Sequence, residues 1–230
     1  MSSSSRPNKR LLEVCCGDIA SVRAAAEAGA HRIELCSALS LDGLTPSYGT
    51  IGEALLHGLT THVLIRPRTG DFVYTPDEIA IMVADIEMCG IMGVHGVVIG
   101  ALSPDGRIDT KACRQLIDAA GDMHITFHRA FDAVADQIRA LEDIARLGCH
   151  YLLTSGGQPT AQQGQQQLRR LHQQTAGRLQ LIAASGVTPD NAAAILDTTG
   201  ITQIHGSLRA GGPSSDLATI RRTLAAMTSL

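Results

Sequence analysis

Short apolar runs rich in β-branched residues recur along the chain, and each is followed by a turn and an amphipathic stretch. This alternation predicts eight strands, at residues 11–15, 32–36, 62–66, 96–100, 125–128, 151–154, 179–183 and 203–207. Helical spacing between the strands predicts helices that include residues 19–28, 76–88, 110–120, 136–147, 162–175, 189–196 and 215–226. Strict alternation with short connections indicates a parallel sheet with right-handed crossovers.

The number of strands favours a closed barrel over an open sheet. The main alternative is a doubly wound sheet, whose dinucleotide-binding form carries G-x-G-x-x-G after its first strand. Here the first strand is followed by Gly17 alone, so no nucleotide cofactor is predicted. We therefore predict an α/β protein, a single (β/α)₈ TIM-type barrel of parallel strands over residues 11–230. The polar, Ser-rich residues 1–10 are predicted to be a disordered tail.

Composition narrows the possible functions of this barrel. The 230 residues carry a net charge of −3, aromatic residues make up 3%, and Trp is absent, so neither a basic field nor stacking platforms for nucleic acid are expected. The sequence has no apolar run of the roughly 18 residues that a membrane span needs. The polar start lacks the apolar core of a secretory signal, which favours a cytoplasmic location and reduced thiols for the six cysteines.

Polar side chains cluster at the predicted carboxyl ends of the strands. In a (β/α)₈ barrel these positions reach the ligand. The set consists of Glu13, Glu34, Arg66, Arg68, His128, Arg129, Asp132, His205 and Ser207. The sequence therefore predicts a ligand site at the C-terminal mouth of the barrel.

Side-chain parity links two thiols to two of these carboxylates. Glu13 and Cys15 share one face of the first strand, and Glu34 and Cys36 share one face of the second. If the carboxylates point into the barrel, both thiols do so one layer nearer the mouth, and Cys16 faces the helices. The alternative for each thiol is a buried, inert side chain, which is common for free cysteine.

The charges also have structural alternatives. Glu13 could form an ion pair with Arg66, and Arg68 and Arg129 could lie in ion pairs of the loops, since structural networks also bury charges. If the three arginines face the mouth instead, their positive charge exceeds the negative charge of Glu13 and Glu34. A surplus guanidinium in a closed pocket would then recruit a carboxylate or a phosphate.

Two absences narrow the chemistry. The lysines are Lys9, in the predicted tail, and Lys111, at a predicted helix start, so no strand carries a Schiff-base lysine. The sequence also lacks the His and Glu spacings of a hard-metal hydrolase centre.

Glycine-bearing loops at residues 184–187 and 206–212 are a weak indication of backbone anion binding.

Six ordered motifs carry a family resemblance. They are LEVC at 12–15, RIELCS at 32–37, GLTPS at 43–47, IRPR with GDF at 65–72, TFHRAFD at 126–132 and LTSG at 153–156. With them the chain resembles the CutC copper homeostasis protein family over residues 11–207. The resemblance implies a (β/α)₈-type barrel, a cytoplasmic location and a homo-oligomer. It also implies copper(I) binding by thiols, which carry over as Cys15 and Cys36.

Three functional hypotheses follow. The first is a copper(I)-binding homeostasis protein with Cys15 and Cys36 as metal ligands. The second is an enzyme of unknown reaction on a small anionic metabolite. Its catalytic residues would be Glu13, Glu34 and His128, as acids or bases, and its ligand-binding residues would be Arg66, Arg68, Arg129, Asp132, His205 and Ser207. The third is an interaction scaffold without activity.

Overall fold

A computed structural model describes residues 9–228 as a parallel barrel surrounded by helices. The strands are β1 (Leu11–Cys16), β2 (Arg32–Leu35), β3 (Thr61–Leu64), β4 (Gly96–Ile99), β5 (His124–Phe127), β6 (Tyr151–Thr154), β7 (Gln180–Ala184) and β8 (Gln203–Gly206). The helices are α1 (Ile19–Ala28), α2 (Tyr48–Leu55), α3 (Pro76–Ile91), α4 (Thr110–Ala120), α5 (Gln137–Leu147), α6 (Gln165–Thr175), α7 (Ala192–Thr199) and α8 (Leu217–Thr228). Each strand pairs in parallel with the next, and β8 pairs with β1. The predicted (β/α)₈ barrel is confirmed.

The structure differs from the predicted elements by one additional helix and by shifts at the ends of others. Helix α2 was not predicted; it begins after Ser47, whose side chain accepts the backbone N–H of Thr50. Helix α7 begins at Ala192 rather than at the predicted Pro189, because the side chain of Asn191 accepts the N–H of Thr188 and holds a turn. The predicted N-terminal tail, residues 1–10, lies mostly outside the described residues. None of the described helices has both the length and the apolar character of a membrane span.

The alternating faces of the strands build two different layers. Leu12, Val14 and Cys16 of β1 pack outward into the large apolar core between sheet and helices. Each fully buried aliphatic side chain in such a core contributes about 1.5–3 kcal/mol. Glu13 and Cys15 point the other way, so the barrel interior carries the polar and thiol groups, as parity predicted.

A repeated histidine contact joins neighbouring strands at the opposite, N-terminal end of the barrel. The residue before each of β2, β4 and β6 is a histidine whose Nδ1 accepts a backbone N–H from the preceding strand. These contacts are His31 with Leu12 (3.1 Å), His95 with Thr61 (3.2 Å) and His150 with Ile125 (3.0 Å). They satisfy strand donors that the ladder leaves free at this edge.

Candidate functional site

A cavity of about 680 Å³ opens at the C-terminal end of the barrel. It brings together most of the residues predicted from the sequence: Cys15, Glu34, Arg66, His128, Arg129, Asp132, His205 and Ser207. Glu13 and Cys36 are almost fully buried and neighbour this set. Convergent polar groups in one concave site are the usual mark of a ligand site.

The two predicted thiols lie next to each other. The Sγ atoms of Cys15 and Cys36 are 3.9 Å apart, and both side chains are buried beside Leu64 and Val98. The contact with Cys36, together with burial, raises the pKa of the Cys15 thiol well above its usual range. Cys16 lies on the other face of β1, in the helix-side core. The orientation of all three cysteines therefore agrees with the parity prediction.

Glu13 occupies the centre of a buried ionic contact, but its cation is not Arg66. The carboxylate accepts from Arg32 Nε through Oε2 and contacts His205 Nδ1 through Oε1, at 2.7 Å. Register explains the choice, because Arg32 on β2 and His205 on β8 both lie directly beside Glu13. Burial alone would raise the pKa of Glu13, but Arg32 and His205 outweigh it and hold the carboxylate ionised. The Glu13–Arg66 alternative is therefore corrected to Glu13–Arg32.

Glu34 lies one layer nearer the mouth than Glu13, and its carboxylate has fewer hydrogen-bond partners. Its Oε2 atom is buried and has no hydrogen-bond partner among the described residues. Burial is the main cause that raises the pKa of Glu34 to about 7; His205 opposes this shift and Glu13 adds to it. Burial by itself lowers the pKa of His205, but Glu34 and the hydrogen bond to Glu13 outweigh it, so this imidazole is more basic than usual.

Three possible metal-ligand atoms, from Cys15, Glu34 and His205, lie close together at the mouth of the barrel. A Cys15 sulfur, a Glu34 carboxylate oxygen and a His205 ring nitrogen all lie within 4.8 Å of one another. Thiolate and imidazole groups suit copper, whereas carboxylate suits harder ions. With Cys36 beside Cys15, the soft donors outnumber the hard one, so the residues present fit a soft ion better than Mg²⁺ or Ca²⁺.

Arg66 and His128 form the wall on the side of β3 and β5. Arg66 follows the end of β3 and is only 5% exposed. His128 follows β5, and its Nδ1 accepts the N–H of Ala130 at 3.1 Å. Burial, assisted by the charge of Arg66, lowers the pKa of His128 to about 3, so this imidazole is neutral at physiological pH.

Asp132 is a structural anchor for the loop after β6. Its carboxylate accepts from Thr154 Oγ1 at 2.5 Å, from the backbone N–H groups of Ser155 and Gly157, and from Arg129 Nε at 2.8 Å. A carboxylate with this many donors has little capacity left for a ligand. The loop ion pair that the sequence left open for Arg129 is therefore present.

Arg68 is a predicted site residue that the structure places neither in the cavity wall nor among the buried groups next to it. Its guanidinium forms ion pairs with Glu78 and Asp71 and donates to the carbonyl oxygen of Val73. These contacts tie the loop after β3 to the first turn of α3. The alternative that the sequence left open for Arg68, an ion pair within the loops, is therefore the one present.

Sequence reasoning missed two residues that shape the site. Arg32 has the same parity as Glu34, but it stands at the start of β2, away from the carboxyl ends of the strands, on which the predicted site was based. Its Nη2 also donates to Gln203 Oε1 at 2.9 Å. Phe72, in the loop after β3, lines the cavity and was not assigned a role.

The fold and the site define a (β/α)₈ barrel protein with a thiol, carboxylate and imidazole cluster at its C-terminal mouth. The CutC family model matches residues 10–210. Relatives named CutC family protein are 42% identical over 195 residues in Pasteurella multocida, covering 84% of this chain and 80% of the relative, and 46% identical over 200 residues in Xylella fastidiosa strain Temecula1, covering 86% and 74%. The chain belongs to the CutC family, which is a copper homeostasis family by name.

Solved structures agree with this membership. The CutC protein from Streptococcus agalactiae superposes with a TM-score of 0.82 at 32% identity, covering 86% of this chain and 98% of that one. Thiamine phosphate pyrophosphorylase from Pyrococcus furiosus superposes with a TM-score of 0.64 at 17% identity, covering 96% of each chain. The second likeness concerns the barrel fold alone.

Proposed function

We propose that this protein binds copper(I) at the mouth of the barrel through Cys15 and Cys36, with His205 as a further donor, and thereby serves copper homeostasis. The observation that carries the proposal is the 3.9 Å separation of the two buried sulfur atoms. Metal–thiolate bonds are roughly 2.3 Å long for zinc, so an ion of similar size seated beside both sulfurs is within reach of each. Thiolates select soft ions such as copper(I).

The surroundings of the thiols support a soft, closed site. Leu64 and Val98 form one buried apolar cluster with the two cysteines, and Leu39, in the loop after β2, packs against this cluster. Thiols must lose their protons to bind metal, so binding releases protons. His205 can supply a neutral nitrogen donor once its proton is displaced, while its contact with Glu13 fixes the ring.

The test is anaerobic titration with copper(I) against a competing chelator. Wild-type protein should bind one ion per chain, and the Cys15→Ser, Cys36→Ser double variant should bind at least tenfold more weakly. Cys16→Ser is the matched control, because this neighbouring thiol is also buried but faces the helices. Unchanged affinity in the double variant, or an equal loss in the control, would reject this ligand set.

A second candidate function is acid–base catalysis on a small metabolite. The observation that favours it is the unpartnered Glu34 Oε2 in the cavity wall, beside an imidazole that is oriented by Glu13. A positioned acid or base next to a second ionisable group is the arrangement that proton-transfer enzymes use.

The corresponding test is incubation of a small-metabolite extract with the protein in deuterated water. Mass spectrometry should find a metabolite that gains deuterium with wild-type protein and not with Glu34→Gln. An extract left unchanged by the wild type, or changed equally by the variant, would contradict this candidate.

A further inference from the structure

We propose that Arg66 and His128 form a recognition site for the carboxylate group of a small organic acid in the same cavity. This inference goes beyond copper binding. It deepens the second candidate function, on which it rests only for the claim that the bound acid is a substrate.

Arg66 is held rigidly by the loops around the mouth. Its Nη1 donates to the carbonyl oxygens of Leu41 at 3.1 Å and Gly43 at 3.0 Å, and its Nη2 donates to that of Gly70 at 3.1 Å. These acceptors are neutral, and no carboxylate among residues 9–228 forms an ion pair with this guanidinium. A nearly buried, permanently charged group is costly unless an anion compensates it.

Two N–H donors of this wall are left without an acceptor. Arg66 Nε is buried and has no hydrogen-bond partner among the described residues. His128 Nε2 is in the same situation. Because Nδ1 of His128 accepts the N–H of Ala130, the neutral ring carries its proton on Nε2 and offers a donor there. Buried donors in native proteins are nearly always satisfied, so this pair points to a ligand.

The two donors flank one aromatic side chain. The Phe72 ring centroid lies 4.9 Å from the centroid of the His128 ring and 5.2 Å from Cζ of Arg66. All three side chains line the cavity. A carboxylate presents two acceptor oxygens in one plane, which suits a wall with unsatisfied N–H donors, and Phe72 offers an apolar surface to the rest of the ligand.

The donor count favours a carboxylate over a phosphate. Three of the five guanidinium hydrogens of Arg66 already bond to carbonyl oxygens, so few donors and one uncompensated charge remain. A phosphate dianion needs more hydrogen-bond donors and more positive charge than this wall has left. Glu34 Oε2, also unpartnered, lies in the same cavity and matches a hydroxyl or amino group of the ligand. The ligand class is therefore a small hydroxy- or amino-carboxylic acid.

The test uses metal-free protein and measures binding without turnover. Glycolate, lactate, glycerate, serine and inorganic phosphate are titrated by calorimetry and by thermal shift. At least one of the carboxylates should bind with a Kd of about 1 mM or below, the range of metabolite affinities, and should raise the Tm. Phosphate should bind more weakly. Absence of saturable carboxylate binding, or tighter binding of phosphate, would overturn the proposal.

Variants locate the site. Arg66→Met and His128→Phe should each weaken binding at least tenfold, and Arg68→Met is the matched control because Arg68 lies outside the cavity. Should Arg66→Met fail to fold, His128→Phe and the ¹⁵N shift of His128 Nε2 on ligand addition decide the question. Full binding in His128→Phe, or an unmoved shift, would overturn the assignment. Binding is measured here without turnover, and deuterium exchange is measured separately, so failure of recognition and failure of catalysis are distinguishable.

Discussion

Replacing Arg32 with methionine removes the cation from the buried carboxylate of Glu13 and leaves His205 as the partner at its other oxygen. The side chains of Glu13 and Arg32 are 1% and 7% exposed, so water cannot take the place of the guanidinium. Loss of one member of a buried ion pair costs about 3–5 kcal/mol. The substitution also removes the bond to Gln203 and the stacking of the guanidinium on Tyr151 at 4.6 Å, which places the expected loss in the upper part of that range.

A second substitution separates charge from packing. Adding Glu13→Gln to Arg32→Met removes the uncompensated charge, so the double variant should be more stable than Arg32→Met alone. The assay is urea denaturation at pH 7, with the coupling free energy taken from the double-mutant cycle. Arg178 and Glu142 form an exposed control pair, whose coupling should stay below about 1 kcal/mol.

The reasoning would be refuted by a loss below about 1 kcal/mol in Arg32→Met, which is the value expected of an exposed pair. It would also be refuted if the double variant were no more stable than the single one. Either result would mean that the contact with His205, or water entering the barrel, compensates Glu13 without Arg32.

Two further predictions concern histidines inside the barrel. Burial lowers the pKa of His62 to about 3, so between that pH and the ordinary 6.5 the unfolded chain binds a proton that the folded protein excludes. The free energy of unfolding should therefore fall as the pH decreases through this window. The contribution of His62 is up to about 1.4 kcal/mol per pH unit, and His62→Gln should remove it from denaturation curves recorded at a series of pH values; an unchanged slope would contradict the prediction. In Gly100→Ala the new Cβ would meet Cε1 of His128 at 2.5 Å, so the ring must shift. We expect a loss of about 1–3 kcal/mol and weaker carboxylate binding by calorimetry, and a variant that binds as well as the wild type would show that the orientation of His128 does not matter.

Much of the fold is local in origin and could be predicted. The β–α alternation and the two-residue period of strands are enough to place Cys15 and Cys36 inside the barrel and Cys16 outside it. Helix α2 was missed because its sequence, with Gly49 and Gly52, has weak helical propensity, and its cap at Ser47 follows a long loop.

The partners inside the site could not be predicted in the same way. The choice of Arg32 over Arg66 for Glu13 depends on lateral register between strands, which parity along one strand does not contain. The withdrawal of Arg68 from the cavity depends on how its loop meets α3. The unpartnered state of Arg66 Nε depends on three carbonyl oxygens from two loops, so it becomes visible only when those loops are placed together.

The two proposed ligands would bind at different sides of one cavity. Their effects on each other's affinity can therefore be measured. Cys15 and His205 lie on β1 and β8 and Cys36 directly follows β2, whereas Arg66 and His128 follow β3 and β5. If copper(I) and a carboxylate occupy the cavity together, each must change the affinity of the other by the same factor, because linkage is reciprocal. Copper(I) titrations with and without saturating carboxylate, compared with carboxylate titrations of the apo and copper-loaded protein, should give equal factors. A common factor of one would contradict the placement of both ligands in one cavity, because a bound cation and a bound anion at such short range must alter each other's affinity.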